Sequence, residues 1–166
     1  MSTTRRRRSY EAGHKPKWLV VIDDTQECDR ALYFAARRAA RVGAGVIMLR
    51  VIETHDRNQQ WIGVADIMKA EAHEEAIASL DKYATRANGM AGITPERVVR
   101  EGSTAQEILG LIEDDEDIAI LVLAAGTGKD GPGPLVVGVG ATAGDYPIPV
   151  AIVPGHLTDE ELDAMT

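Results

Sequence analysis

From Lys17 onward the chain alternates short apolar runs with apolar stripes at helical spacing, and the order of these two patterns predicts its architecture. Trp18 to Ile22 is a first strand. Leu32, Ala35, Ala36, Ala39 and Ala40 then fall at i, i+3, i+4, i+7 and i+8, a helix face opposite Arg30, Arg37, Arg38 and Arg41, with Gly43 as its natural stop. Val46 to Ile52 is a second strand. A polar loop with His55, Asp56 and Trp61 leads to a long helix striped by Met68, Ala72, Ala76, Leu80 and Tyr83, ending near Asn88-Gly89. Glu96 to Glu101 is a third strand, and Arg97 and Arg100 within it predict an edge, where one side stays wet. Ser103-Thr104-Ala105-Gln106 has capping-box spacing ahead of a stripe of Ala105, Ile108, Leu109 and Ile112. Ile118 to Leu123 is a fourth strand, apolar at every position, as suits burial on both faces. Pro134 suits the first position of a short helix reaching about Gly140, Pro149 to Val153 is a fifth strand with an edge-compatible proline, and Thr158 caps a short terminal helix. This alternation predicts right-handed crossovers and an α/β fold, a doubly wound, Rossmann-like parallel sheet in one domain over 17–154.

The fourth strand empties into Ala124-Ala125-Gly126-Thr127-Gly128-Lys129-Asp130-Gly131-Pro132-Gly133-Pro134. Glycines at such an exit let the main chain bend tightly and approach a ligand, and ligands of open α/β sheets bind beyond the carboxyl ends of strands, so the junction reads as a pocket wall for an anion. Gly128-Lys129 does not complete a P-loop, because Leu123 and Asp130 stand where that motif needs a glycine and a Ser or Thr. Gly126 to Gly131 matches Gly-x-Gly-x-x-Gly, yet it follows the fourth strand, runs into two prolines and lacks a following strand with a ribose-binding acid. A dinucleotide cofactor is not indicated.

Charge and composition narrow the picture further. At 166 residues and 45% hydrophobic, the chain is long enough for one packed domain. Its net charge of -8 divides into +5 over residues 1–17 and -13 over the rest. An acidic body repels nucleic acid, so no specific nucleic-acid partner is expected; residues 1–16, with Arg5 to Arg8, read as a disordered basic tail, and 155–166 as a tail carrying the short helix. The run Glu113 to Asp117 reads as a solvated turn. No apolar stretch reaches the about 18 residues of a membrane span and no signal-peptide core follows the arginines, which predicts a cytoplasmic protein. The lone Cys28 excludes an internal disulfide and reads as a small buried helix residue, although a helix amino end can lower a thiol pKa. His14, His55, His73 and His156 show no metal-ligand spacing, so no protein-only metal site is expected.

Several patches taken in order resemble the universal stress protein family: Val21-Ile22-Asp23-Asp24-Thr25 with Glu27 and Arg30-Ala31-Leu32 at the first strand exit, Leu49-Arg50-Val51-Ile52-Glu53 at the second, Gly102 to Leu109 at the third, and Pro147-Ile148-Pro149-Val150 before the last. The resemblance covers nearly all of Lys17 to Pro154. It implies a five-stranded sheet in the order 3-2-1-4-5. It also implies ATP or a related adenine nucleotide, with magnesium accompanying it, and a homodimer pairing through the last strand, where Val150 to Val153 would otherwise leave an apolar edge. Carried over by position, Asp23 and Val51 would hold adenosine, and Gly126, Gly128, Lys129 and Gly131 the phosphates. Where the family has Gly-Ser/Thr, this chain has Ala141-Thr142 with Gly140 one place early, so Gly140 and Thr142 are the candidates there. Pro132 and Pro134 remove two amide donors from the loop.

Other roles stay open for these residues. Asp23 suits either a ribose contact or a cap for the following helix, Val51 either a backbone contact or core packing, and Lys129 either a phosphate contact or an exposed loop position. Trp61 suits a lid, a partner interface or burial against the next helix. No nucleophile or general base can be assembled from spacing. Three functions remain: a stress-response module that binds an adenine nucleotide, a dimeric interaction protein without nucleotide, and a slow nucleotide hydrolase.

Overall fold

The computed structural model describes residues 6–53 and 62–166; His55, Asp56 and Trp61 lie outside the described residues. The elements follow in the order β1 (Lys17–Val21), α1 (Cys28–Val42), β2 (Gly45–Glu53), α2 (Ile62–Ala91), β3 (Glu96–Gly102), α3 (Thr104–Asp114), β4 (Ile118–Ala125), α4 (Pro134–Thr142), β5 (Val150–Pro154) and α5 (Asp159–Met165). All four strand pairings are parallel and the sheet runs β3-β2-β1-β4-β5, as expected. β3, with its two arginines, and β5, with its leading proline, are the edges.

Alternation along the strands sorts side chains into two cores. Val20, Ile22, Met48 and Val122 face α1 and α2, while Leu19, Val21, Leu49, Leu121 and Leu123 face Ile108 and Ile112 of α3. On α1 the sheet-facing positions Ala35, Ala36 and Ala39 have no exposed surface, so alanine's small volume lets the helix lie close on the sheet. Gly43 ends α1 in the left-handed region at φ 72°, as expected. The long helix does not stop at Asn88-Gly89: it continues to Ala91 and turns at Gly92, φ 66°. Ala87 is fully buried and Met90 and Ala91 pack on the same core, and that burial outweighs the turn preference of Asn-Gly. Among the described residues no helix is long and apolar enough to cross a membrane.

Residues 6–16 and α5 both pack on the rest of the fold. Residues 6–16 lie on the acidic turn before β4: Arg7 donates to the carbonyls of Ile112, Asp115 and Ile118 at 2.6, 2.6 and 2.8 Å, and His14 Nδ1 is 2.7 Å from Asp117 Oδ1. Lys17 Nζ contacts Asp115 at 2.7 Å and Glu96 at 2.8 Å, and Ser9 is buried. The physical reason is counter-charge together with the unfilled carbonyls at the end of α3, which a guanidinium satisfies. At the other end α5 docks on α1 through the fully buried Leu162, with the Tyr33 hydroxyl donating to Asp163 at 2.7 Å. Three guanidinium groups, of Arg30, Arg37 and Arg86, stand 5.2 to 5.6 Å from the Tyr33 ring centre.

Candidate functional site

β1 leads to β2 on one side and β4 leads to β5 on the other, so the strand order reverses between β1 and β4 and leaves a crevice at their carboxyl ends. A cleft of about 340 Å³ opens there, bounded by the exits of β1 and β2, the first turn of α3 and one face of α4. Asp23 and Val51 both line it.

Asp23 Oδ1 accepts the amide of Thr25 at 3.0 Å and also the Thr25 hydroxyl, which leaves Oδ2 without a hydrogen-bond partner among the described residues. This is a turn at the strand exit. It is not a helix cap, because Glu27 occupies the N-cap position of α1 and no side chain caps that end. Val51 lines the cleft and also packs on the α3-side core. On the opposite wall the Thr104 hydroxyl donates to Glu53 at 2.7 Å.

Arg50 also lines the cleft, and sequence reasoning assigned it no role. Its guanidinium is 2.7 Å from Asp24 Oδ2 and reaches the Ile22 carbonyl at 3.4 Å, tying the exits of β1 and β2 together. The hydrogen bond from Arg50 holds the Asp24 carboxyl below the usual aspartate range. A lone cation inside the otherwise apolar run Met48 to Ile52 was the available signal.

The glycine loop is a separate surface beside this cleft. Its concavity is lined by Gln26, Glu27, Gly126, Gly128, Asp130 and Gly131, with Pro134 common to both. The Gly126 amide donates to the Pro132 carbonyl at 2.9 Å and the Gly131 amide to the Gly128 carbonyl at 3.2 Å, so two amides that could cradle an anion are already used inside the loop. Gly131 at φ 81° and Gly133 at φ 99° take backbone angles that suit glycine. Lys129 is exposed and has no ion-pair partner among the described residues.

Glu27 fills the ground between α1 and this loop. A Cβ on Gly126 would lie 3.0 Å from its Oε1, and one on Gly155 would lie 2.9 Å from its Cβ and 2.5 Å from the Ala125 carbonyl oxygen. No local pattern in the sequence points an acid at Gly126, because the contact joins the turn after β1 to the exit of β4.

Gly140 and Thr142 do not join the cleft. Pro134 starts α4 directly after the loop, with Gly133 as its N-cap, so both residues fall in the last turn of the helix and are exposed. Leu135, Gly138 and Val139 line the cleft in their place. Cys28 is buried with Sγ 3.7 Å from the Val21 carbonyl, and burial pushes its thiol up to about 12, so it is a packing residue. Among the described residues no three His, Cys, Asp or Glu side chains are grouped to hold a metal ion.

Comparison with known proteins places this geometry. A family model described as the universal stress protein family matches residues 16–154. No curated protein sequence matches significantly. Among solved structures, the universal stress protein UspA from Lactobacillus plantarum is 15% identical with a TM-score of 0.72, the match covering 83% of this chain and 97% of that one. A universal stress protein in complex with cAMP is 18% identical at TM-score 0.59, and one from Archaeoglobus fulgidus in complex with dAMP is 18% identical at 0.56; each match covers 83% of this chain and 96% of the other.

Proposed function

The chain belongs to the universal stress protein family, and from that premise we propose that it is a cytoplasmic stress-response module that binds an adenine nucleotide. The observation that carries this reading is the cleft at the sheet's switch point, where Asp23, with one carboxylate oxygen unbonded among the described residues, and the exit of β2 at Val51 line one concave, mostly apolar wall. Relatives in complex with cAMP and dAMP support an adenine nucleotide as the class of ligand. In the proposal Asp23 orients the ribose, Val51 contributes main-chain contacts to the base, and Arg50 fixes the two strand ends so that the cleft keeps its width. Magnesium would accompany only a nucleotide with several phosphates. Denaturing the purified protein and weighing what is released tests the reading: an adenine nucleotide in near-stoichiometric amount supports it. Calorimetric titration with adenosine and AMP showing no heat at millimolar ligand would remove it.

A second reading has its own observation. The self-bonded loop amides and the displacement of Gly140 and Thr142 to the end of α4 favour a family member that acts through dimerisation and partner contacts. Ile152 on the β5 edge is 46% exposed, which suits pairing of two copies through that strand. Light scattering at micromolar concentration that returns the monomer mass would remove the dimer.

A further inference from the structure

We propose that the site takes an adenine nucleoside or nucleoside monophosphate and excludes the triphosphate, with the carboxylate of Glu27 as the residue that excludes it. The inference rests on the adenine-nucleotide reading above and narrows its ligand.

The nucleoside end has a formed site and the polyphosphate end does not. The cleft of about 340 Å³ lies at the small end of ligand pockets, which run from about 300 to 1,000 Å³, and its polar side chains, Asp23, Asp24, Arg50, Glu53 and Thr104, are spread around that volume, with Asp24 paired to Arg50 and Glu53 to Thr104. Further phosphates would have to run past Pro134 onto the glycine loop, the surface that adjoins the cleft there. That loop has already committed part of what an anion needs. The Gly126 and Gly131 amides bond to carbonyls of the loop itself, and Pro132 and Pro134 have no amide hydrogen.

Glu27 adds repulsion to this reduced set of donors. Its carboxylate lies against Gly126 and Gly133, and no cation is paired with it among the described residues. Asp130 in the same concavity has the same sign, and Lys129 is exposed. Like charges a few ångströms apart at a protein surface repel strongly enough to change affinity by about ten-fold or more. Adenosine brings no charge to this surface and a monophosphate one group that can stay at the cleft mouth, whereas the triphosphate must lay its charge along it.

The test is calorimetric titration of the full chain with adenosine, AMP and ATP, each with and without magnesium, for the wild type, Glu27→Gln and Glu27→Ala. The expected wild-type order is AMP or adenosine at least about ten-fold tighter than ATP, and both substitutions should shift the ATP-to-adenosine affinity ratio toward ATP by about ten-fold. Asp130→Asn, an exposed position, should shift it less. Wild type binding ATP as tightly as AMP overturns the proposal, as does a ratio unmoved by both substitutions. ATP binding that requires magnesium and is lost in Glu27→Gln would also overturn it, by making Glu27 a cation ligand. Absence of binding by all three compounds is a different result, and it removes the nucleotide reading itself.

Discussion

Replacing Arg7 with alanine should destabilise the protein more than replacing Arg6 or Arg8. Its guanidinium donates to three main-chain carbonyls, of Ile112, Asp115 and Ile118, at 2.6 to 2.8 Å in a partly buried setting. Hydrogen bonds from a charged donor contribute about 1.5–3 kcal/mol each, and the cation also complements the negative end of α3. The three bonds share one side chain, and water regains part of the exposed carbonyls, so the net loss should be about 2–4 kcal/mol rather than the full sum. For a protein of this size each kcal/mol moves the melting temperature by about 2–4 °C, which gives a fall of about 4–16 °C. Arg6→Ala is the control, because the Arg6 side chain is 85% exposed and its contact with Glu11 is a surface ion pair that contributes little. Differential scanning calorimetry of wild type, Arg7→Ala and Arg6→Ala at moderate salt is the assay. Equal, small shifts for both variants would refute the docking of the arm on α3, and a large shift for Arg6→Ala would refute the assignment of the anchor to Arg7.

Leu162→Ala should cost about 2–5 kcal/mol, because the side chain is fully buried between α5 and the α1-side core; urea titration with an unchanged slope and a lower midpoint checks this. Cys28 should resist alkylation at pH 8 in the folded protein and react only on unfolding, since burial pushes its thiol up to about 12; mass spectrometry after iodoacetamide treatment, with and without denaturant, reads it directly. Burial raises the Asp29 carboxyl, but hydrogen bonds from Arg86 and Arg30 outweigh it and hold the group below its ordinary value. A depressed folded-state value stabilises above the unfolded value of about 3.9 and is lost as pH falls through the folded one, so Asp29→Asn should be less stable than wild type at pH 7 and the difference should shrink below about pH 4.

How much of this was legible in the chain depended on how local each signal was. Short apolar runs marked β1, β2, β4 and β5, stripes at helical spacing marked α1, α2 and α3, and Pro134 and the Thr158 cap marked the last two helices, because burial and capping act on neighbours in sequence. Arg97 and Arg100 identified β3 as an edge, and Gly43 identified the end of α1, through side-chain solvation and backbone freedom that belong to the residues themselves. Asp23 and Val51 were visible as strand exits, and the fold brings both to one cleft.

What the chain could not disclose alone are contacts between segments far apart in sequence. Arg5, Arg6, Arg7 and Arg8 are alike as letters, and only the position of the α3 carboxyl end makes Arg7 an anchor. Gly140 and Thr142 stood near the right place in sequence, yet α4 begins at Pro134 and carries them to its far end. Glu27 is an ordinary acid at a helix start until the exit of β4 sets Gly126 beside it. Local propensity and solvation determined the elements and their order; the close packing of the crossovers, which sets distant backbone and charge within a few ångströms, decided which residues share a site.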